Sequence, residues 1–283
     1  MSLYQSTNYE ARERLTHRQM QYALEFARNR KKVQNKKGSV LRSDYELAAV
    51  DLNGRLKWTR ALFDEVETYF DLSDDRPDPD QPIMWFCFTD EACLDRLPKM
   101  YGRRSIGSVR NHYRKGLRGL HYIAVVEPAL YVSIAPSVVV GAPFRGRSTS
   151  WHCHGIAWGE TRSEMIARFQ VIRAEDIYRP ISEPLSGSWA EPLRSGSLGA
   201  KLAYMHKSPR KSYRIYRTTV TAGEGNVTQD VLRQRKTSSR PGELIHYFNL
   251  LKNVRMDELA FGGGDGSKIL ARVKLPFQVR SRA

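Results

Sequence analysis

Apolar side chains recur at helical spacing over the first quarter of the chain. Residues 14–37 contain neither Gly nor Pro, and their apolar positions repeat every three or four residues or at multiples of that spacing. A second stretch with the same pattern covers residues 57–70. The acidic, proline-rich segment 71–82 has no periodicity, which indicates a boundary or linker. We therefore predict a helical N-terminal region over residues 1–75.

Beyond this segment the pattern changes to short apolar runs mixed with helical stretches. The runs predict strands, and two stretches between them predict helices; the strands cover 83–89, 121–126, 151–158 and 213–220, and the helices 163–174 and 198–207. Residues 177–197 are rich in Pro, Ser and Gly and predict a loop. The mixture predicts an α+β domain over residues 76–220, with a central antiparallel sheet flanked by helices. The C-terminal region, residues 221–283, predicts a helix over 242–259 and a glycine-rich turn, without an assigned role.

The charge of the chain points to a polyanionic partner. Lys and Arg number 46 against 30 Asp and Glu, which gives a formal net charge of +16 and a pI near 9.9. Such an excess attracts polyanions, and nucleic acid is the commonest of these in a cell. We predict that a set of basic residues follows the backbone of a nucleic acid: Arg103, Arg104, Arg110, Arg114, Lys115, Arg118 and Lys201.

Cysteine content and hydropathy bear on the compartment. The chain has three cysteines, an odd number without metal-type spacing, which favours free thiols in a reducing environment. The first ten residues have no apolar signal core, and the longest apolar runs are far too short to cross a bilayer. We expect a cytoplasmic protein that has no membrane partner.

The clearest chemical motif is a pair of histidines on a predicted strand. His152 and His154 lie two residues apart, so both side chains point to the same face and can bind one metal ion. The preceding strand ends at Glu127, which would lie opposite the pair if the two strands form a hairpin. A carboxylate directed toward two imidazoles needs a cation to offset its burial. We predict a metal site of His152, His154 and Glu127, the alternatives being structural histidines and a solvated carboxylate.

A second motif lies on the predicted helix 198–207. Lys201, Tyr204 and Lys207 are three residues apart, so they share one helical face. An ammonium beside a phenol favours the phenolate, which tyrosine needs to act as a nucleophile. We predict Tyr204 as a candidate nucleophile with Lys207 as its partner, the alternative being a tyrosine on an amphipathic helix beside a solvated lysine. Tyr213 and Tyr216 are rival nucleophiles, but their basic, strand-like surroundings favour base stacking or sheet packing.

The order of these motifs resembles a known superfamily. A strand ending in Thr89, then Glu127, then His-x-His and a helical Tyr-x-x-Lys resembles the HUH endonucleases. Within them, the layout over residues 83–220 is similar to the single-tyrosine rolling-circle replication initiators of plasmids and single-stranded DNA viruses. This chain departs from the pattern by having Cys153 between the histidines and by a long connection from Glu127 to His152.

The resemblance implies a fold and a reaction. The fold would be a sheet of about five antiparallel strands related to RNA-recognition domains. Mn²⁺ or Mg²⁺ held by His152, His154 and Glu127 would polarise a phosphate of single-stranded DNA. Tyr204, aided by Lys207, would form a 5′-phosphotyrosine link and leave a 3′-hydroxyl that primes replication. The partners would be a replication origin, as a single strand or a hairpin, and the host polymerase. A host helicase would supply the unwinding, because the chain carries no helicase motif.

Two other functions fit parts of the pattern. One is a transposase or relaxase of the same superfamily, which would join DNA ends or use a tyrosine nearer the N-terminus. The other is a DNA-binding regulator without chemistry, in which the histidines are structural. Metal-dependent cleavage that needs Tyr204 distinguishes the enzymes from the regulator.

Overall fold

The structure is a computed structural model with alternating helices and strands. It describes residues 4–5, 7–29, 47–70, 82–96, 105–133, 147–179, 186–194, 196–222 and 227–278. The helices are α1 (Tyr9–Asn29), α2 (Leu52–Phe70), α3 (Ile106–Tyr113), α4 (Arg162–Ala174), α5 (Leu198–Met205), α6 (Pro241–Leu251), α7 (Met256–Leu259) and α8 (Asp265–Gln278). The strands are β1 (Met84–Phe88), β2 (Leu94–Arg96), β3 (His121–Ser133), β4 (Arg147–Trp158), β5 (Ser188–Pro192), β6 (Lys211–Ala222), β7 (Val227–Ser238) and β8 (Ala260–Gly263). Within these ranges, no helix is both long enough and apolar enough to cross a membrane.

The strands form one mainly antiparallel sheet. The main order is β5-β1-β4-β3-β6-β7, while β2 pairs with β4 and β8 pairs with β3. Only the pairing of β3 with β6 is parallel among these described strands. The predicted α+β class with a central antiparallel sheet flanked by helices is confirmed. In the part of the chain that the structure describes, the sheet has eight strands rather than about five, because the predicted loop 177–197 contains β5, the C-terminal region contributes β7 and β8, and the short β2 is not among the predicted strands.

One hydrophobic core joins the N-terminal helices, the sheet and the C-terminal helices. Trp58, Leu62 and Val66 of α2 are fully buried, as the helical spacing of the sequence predicts. They belong to the same cluster as Ile123 of β3 and Ile269 of α8. The division into three regions stays a prediction: its first boundary, at residue 75, lies outside the described residues, and its second, at residue 220, falls inside β6.

The glycine-rich run near the C-terminus packs closely against β3. Strand β8 lies against β3, where a Cβ on Gly263 would stand 2.2 Å from the Tyr122 ring. A Cβ on Gly266, in α8, would stand 1.8 Å from the Tyr122 carbonyl oxygen. Only glycine therefore fits at both positions. The run predicted as a turn instead forms strand β8 and the first turn of α8.

Candidate metal centre and tyrosine site

Strand β4 places the two histidines on one face of the sheet. His152 and His154 are both buried, and their ring centroids are 6.0 Å apart. Cys153 lies between them and points to the opposite face, where it is fully buried. Strand β4 lies between β1 and β3, so His154 has a direct neighbour on each of them, and His152 has one on β3. The face therefore collects side chains from three strands.

Two of these neighbours are potential metal ligands. Glu127 of β3 pairs directly with His152, which is the arrangement expected from a hairpin. Cys87 of β1 pairs directly with His154. One ligand atom from each of Cys87, His152 and His154 lies within 4.8 Å of the other two, so this cluster could hold a metal ion. Glu127 adjoins the cluster through its Oε2, 3.3 Å from Nε2 of His154.

The protonation of this cluster is set by its burial and its close charges. Burial lowers the pKa of His152 to about 3, and the charge on His154 acts in the same direction, so His152 is neutral and able to bind a metal. Burial would also lower the pKa of His154, but Cys87 and Glu127 outweigh it and raise the value to about 9. Nδ1 of His154 is buried and has no hydrogen-bond partner among the residues that the structure describes. A divalent ion would replace the His154 proton and satisfy such an atom.

Glu127 is held as an anion by a lysine from outside the sheet. Its Oε2 accepts a short hydrogen bond from Nζ of Lys207 and also contacts His154. Burial alone would raise the pKa of the Glu127 carboxyl, but the charges on Lys207 and His154 hold it well below the ordinary value. The predicted metal ligand and the predicted partner of the nucleophile thus form an ion pair.

Tyr204 stands on the same face beside the histidines. It lies near the C-terminal end of α5, and its ring meets His154 edge to face at a centroid distance of 5.3 Å. Nζ of Lys207 lies 3.7 Å from the centroid of the Tyr204 ring. Burial alone would raise the pKa of the Tyr204 phenol, but the charges on Lys207 and His154 outweigh this effect. The pKa of the phenol is therefore lowered. Helix α5 ends at Met205, so Lys207 reaches Tyr204 from the segment after the helix.

The N-terminal helices fix the short segment that carries Lys207. The backbone carbonyl of His206 accepts hydrogen bonds from the Tyr9 hydroxyl, at 2.8 Å, and from Nη1 of Arg55, at 2.6 Å. The Glu13 carboxylate accepts hydrogen bonds from both the backbone N–H and the hydroxyl of Ser208. These contacts join α1 and α2 to the site across nearly two hundred residues of sequence. Sequence reasoning assigned no role to either helix.

The predicted site residues share one cavity of about 160 Å³. Glu127, His152, His154, Tyr204 and Lys207 all line it. Cationic side chains complete its wall, namely Arg12, Arg210, Lys211 and Lys236. The cavity therefore combines a metal-type cluster, a phenol of lowered pKa and a positively charged lining. Such a lining suits an anionic substrate.

The two rival tyrosines have different surroundings. Tyr213 lines the same cavity, but its ring stacks on Tyr131 at a centroid distance of 4.8 Å, and burial raises the pKa of its phenol well above the ordinary value. Tyr216 is three residues further along β6 and so points to the other face of that strand. Tyr204 thus meets His154 and lies under Lys207, and the pKa of its phenol is lowered there.

The structure separates most of the predicted DNA-binding residues from this cavity. Arg103 and Arg104 lie outside the described residues. Nη1 of Arg110 donates to the carbonyl oxygens of Glu258 and Ala260, which indicates a structural role. The other basic residues of that segment line a different cavity, of about 520 Å³, which shares no lining residue with the first; they are Arg114, Lys115 and Arg118. Lys201, on α5, pairs with Glu191 at 3.1 Å.

Cys87 is the functional candidate that sequence reasoning missed. The segment 83–89 that carries Cys87 is predicted only as an apolar strand, and nothing in the local pattern pairs Cys87 with His154. The available signal was the alternation along β1, which puts Cys87 and Trp85 on the face opposite to Phe86 and Phe88. Trp85 and His154 are stacked with ring centroids 5.8 Å apart, so this face of β1 belongs to the site.

Comparison with known proteins identifies no relative of the chain. No protein-family model, no curated protein and no solved structure shows significant similarity to the chain.

Proposed function

We propose that this protein is a metal-dependent nuclease that cuts single-stranded DNA with Tyr204 and thereby initiates rolling-circle replication. The observation that carries the proposal is the position of Tyr204. Its phenol has a lowered pKa, lies under the Lys207 ammonium and meets His154 of the metal-type cluster in one cation-lined cavity. Each part alone occurs in proteins of many kinds, whereas the combination supplies a nucleophile, a cation site and a phosphate-binding wall.

His152 and His154 would hold the metal ion. The third ligand would be Cys87 from β1 or Glu127 from β3, since both adjoin His154. Imidazole and thiolate are softer donors than the oxygen ligands preferred by Mg²⁺, so Mn²⁺ fits this set better than Mg²⁺, and a thiolate ligand would also favour Zn²⁺. When bound, a divalent ion supplies Lewis-acid polarisation of a phosphate oxygen.

Tyr204 would carry out the covalent step. Its phenol gives its proton to water, the phenolate oxygen attacks the phosphorus atom, and the bond from phosphorus to the 3′ oxygen breaks. The 3′ oxygen takes a proton from water and leaves as a hydroxyl, and the phosphate remains as a 5′-phosphotyrosine ester. Lys207 stabilises the phenolate electrostatically. The free hydroxyl can prime a polymerase, and reversal of the attack can rejoin a strand.

The cationic wall would bind the DNA backbone next to the reacting phosphate. Arg12, Arg210, Lys211 and Lys236 line the cavity together with the tyrosine, so a strand bound at Tyr204 would lie beside them. The substrate would be a replication origin exposed as a single strand or in a hairpin. Because the chain carries no helicase motif, unwinding and synthesis would depend on a host helicase and polymerase.

The test uses labelled single-stranded oligonucleotides tiled over the DNA that encodes the protein. We expect a covalent protein–DNA adduct with Mn²⁺, none with EDTA, and none in the Tyr204→Phe variant with Mn²⁺. Tyr22→Phe is the matched control, because Tyr22 is exposed on α1 and does not line the cavity. Tight DNA binding without any adduct would overturn the proposal in favour of a non-catalytic regulator. Joining of two DNA ends would instead indicate a transposase.

A further inference from the structure

Trp189 is an exposed aromatic residue beside the candidate site. It lies on the edge strand β5, which pairs with β1 in the described sheet. The register pairs Trp189 with Cys87 and Cys87 with His154, so the three side chains form a row on one face. Neighbouring strands lie about 4.8 Å apart, so Trp189 is about 10 Å from His154 along this row.

Its exposure contrasts with that of every other tryptophan in the chain. Trp189 is 46% exposed, whereas the other four are at most 6% exposed and belong to the hydrophobic core. Trp58, for comparison, is fully buried. A ring that is nearly half exposed contributes less to the stability of the fold than a buried one, because nearly half of its surface stays hydrated. Such a residue on the site face is available to a ligand.

A lysine lies over the same ring. Nζ of Lys201 is 5.7 Å from the centroid of Trp189 and 4.8 Å from that of Trp85. Lys201 therefore links the exposed ring to the aromatic residue that stacks on His154. An indole face next to an ammonium matches one nucleotide unit, since the base can stack on the ring while its phosphate pairs with the cation in place of the Glu191 carboxylate, which lies 3.1 Å from Nζ. A protein segment would use the ring but would not require the cation.

We propose that Trp189 and Lys201 form a subsite that binds one unpaired base of DNA and its phosphate. The subsite rests on the proposed function for the identity of the strand, which would then continue from Trp189 along the row to the reacting phosphate at Tyr204. Stacking fixes the distance between the bound base and the cut. In duplex DNA the bases are covered by their neighbours, so this subsite selects single strands.

The test measures binding rather than cleavage, in EDTA. The probes are a fluorescently labelled oligo(dA), a backbone-matched oligonucleotide with abasic sites, and an oligo(dA)·oligo(dT) duplex. We expect wild-type protein to bind oligo(dA) about 10-fold or more tightly than the abasic strand, since stacking of one base is worth that factor or more. Trp189→Ala should abolish this preference for bases, and Trp189→Phe should retain part of it. Tyr22→Ala, which removes another exposed ring, should leave it unchanged.

A second readout separates stacking from unfolding. Oligo(dA) should quench the tryptophan fluorescence of wild-type protein, and the abasic strand should not. The thermal midpoint of Trp189→Ala should match that of wild type, because its side chain is exposed. An unchanged base preference in Trp189→Ala, or equal affinity for duplex and single strand, would overturn the subsite.

The two proposals fail in different ways. An adduct at Tyr204 combined with an unaltered base preference in Trp189→Ala would remove the subsite alone. A base preference that depends on Trp189, without any adduct, would remove the nuclease alone. A failure to bind any single strand would overturn both.

Discussion

Strand β4 has two faces that serve different purposes. On one face Cys153, Gly155 and Ala157 pack into the apolar core. On the other face His152 and His154 meet a thiol, a carboxylate and a tyrosine. Alternate residues of one strand are therefore constrained by packing on one side and by chemistry on the other. Substitutions at neighbouring positions of β4 should therefore differ in effect: those on the apolar face should reduce stability, and those on the polar face should reduce activity.

The polar face carries an electrostatic cost that the apolar face does not. The Glu127 carboxylate is buried and depends on Lys207 and His154 for its charge balance. Buried ion pairs of this kind contribute little net stability, because desolvation offsets the attraction between the charges. A functional role therefore accounts for these charges better than a contribution to the stability of the fold does.

The largest expected effect is loss of activity on the polar face. In His154→Ala, metal binding should be lost and the rate of adduct formation should fall on the order of 10³-fold, since metal polarisation of a phosphate is worth several kcal/mol. Single-turnover adduct formation with Mn²⁺ measures this, and circular dichroism should show that the variant remains folded at the assay temperature. His121→Ala is the matched control, because His121 lies on β3 and does not line the cavity. Equal loss in both variants would break the comparison.

The next effect is loss of stability on the apolar face. A Cβ on Gly155 would stand 2.2 Å from the Phe86 ring and 2.7 Å from the backbone oxygen of Ile123. Gly155→Ala should therefore lower the free energy of unfolding by about 3 kcal/mol, which urea titration measures. Gly107→Ala is the control, since its Cβ would meet only the Ser105 hydroxyl at 3.8 Å. In helix α3 that change should be neutral or stabilising by up to about 1 kcal/mol.

Acid should lower the free energy of unfolding through a buried histidine next to the candidate site. Burial lowers the pKa of His206 to about 4, against 6.5 in an unfolded chain. The unfolded state therefore binds more protons between these values, so stability falls as the pH drops from 6.5 toward 4. The loss from this group is about 2 kcal/mol at pH 5.

Urea unfolding at pH 7 and at pH 5 measures this loss. The difference between the two pH values should be smaller in His206→Asn than in wild type, because the variant lacks that titrating group. An unchanged difference would show that the histidine is not held neutral in the folded protein.

The smallest effect should be on the choice of metal. Cys87→Ser replaces a soft ligand by a hard one, so Zn²⁺ and Co²⁺ should bind about 10-fold more weakly, while Mn²⁺ binding changes little. Calorimetry gives the affinities, and Co²⁺ bound to wild type should show thiolate charge-transfer absorption that the variant lacks. Glu127→Gln is the companion variant. If it, rather than Cys87→Ser, weakens Zn²⁺ and Co²⁺ binding, Glu127 is the third ligand and Cys87 is only a neighbour.

Local patterns were sufficient to predict the polar face of β4. A period of two put His152 and His154 on one side, and the hairpin with β3 placed Glu127 opposite them, because both features depend on short-range geometry. Tyr204 and Lys207 were paired from helical spacing, although α5 ends before Lys207. The α+β class also followed from the order of the patterns.

Features that depend on long-range pairing were not predictable. Cys87 joins the cluster only because β1 pairs with β4, and Trp189 fell in a segment predicted as a loop. The contact of Glu13 with Ser208 links residues far apart in sequence. No local period encodes which strand or helix meets which.

The most direct test of the account is the identity of the tyrosine that carries the DNA. Adduct formed with Mn²⁺ would be digested with nuclease and trypsin and examined by mass spectrometry. Cleavage after Lys and Arg places Tyr204 in the peptide 202–207, Tyr213 in 212–214 and Tyr216 in 215–217. We predict that the nucleotide mass is found on the peptide 202–207 and is absent when EDTA replaces Mn²⁺. A nucleotide on either of the other peptides, or on none, would contradict the assignment of Tyr204 as the nucleophile.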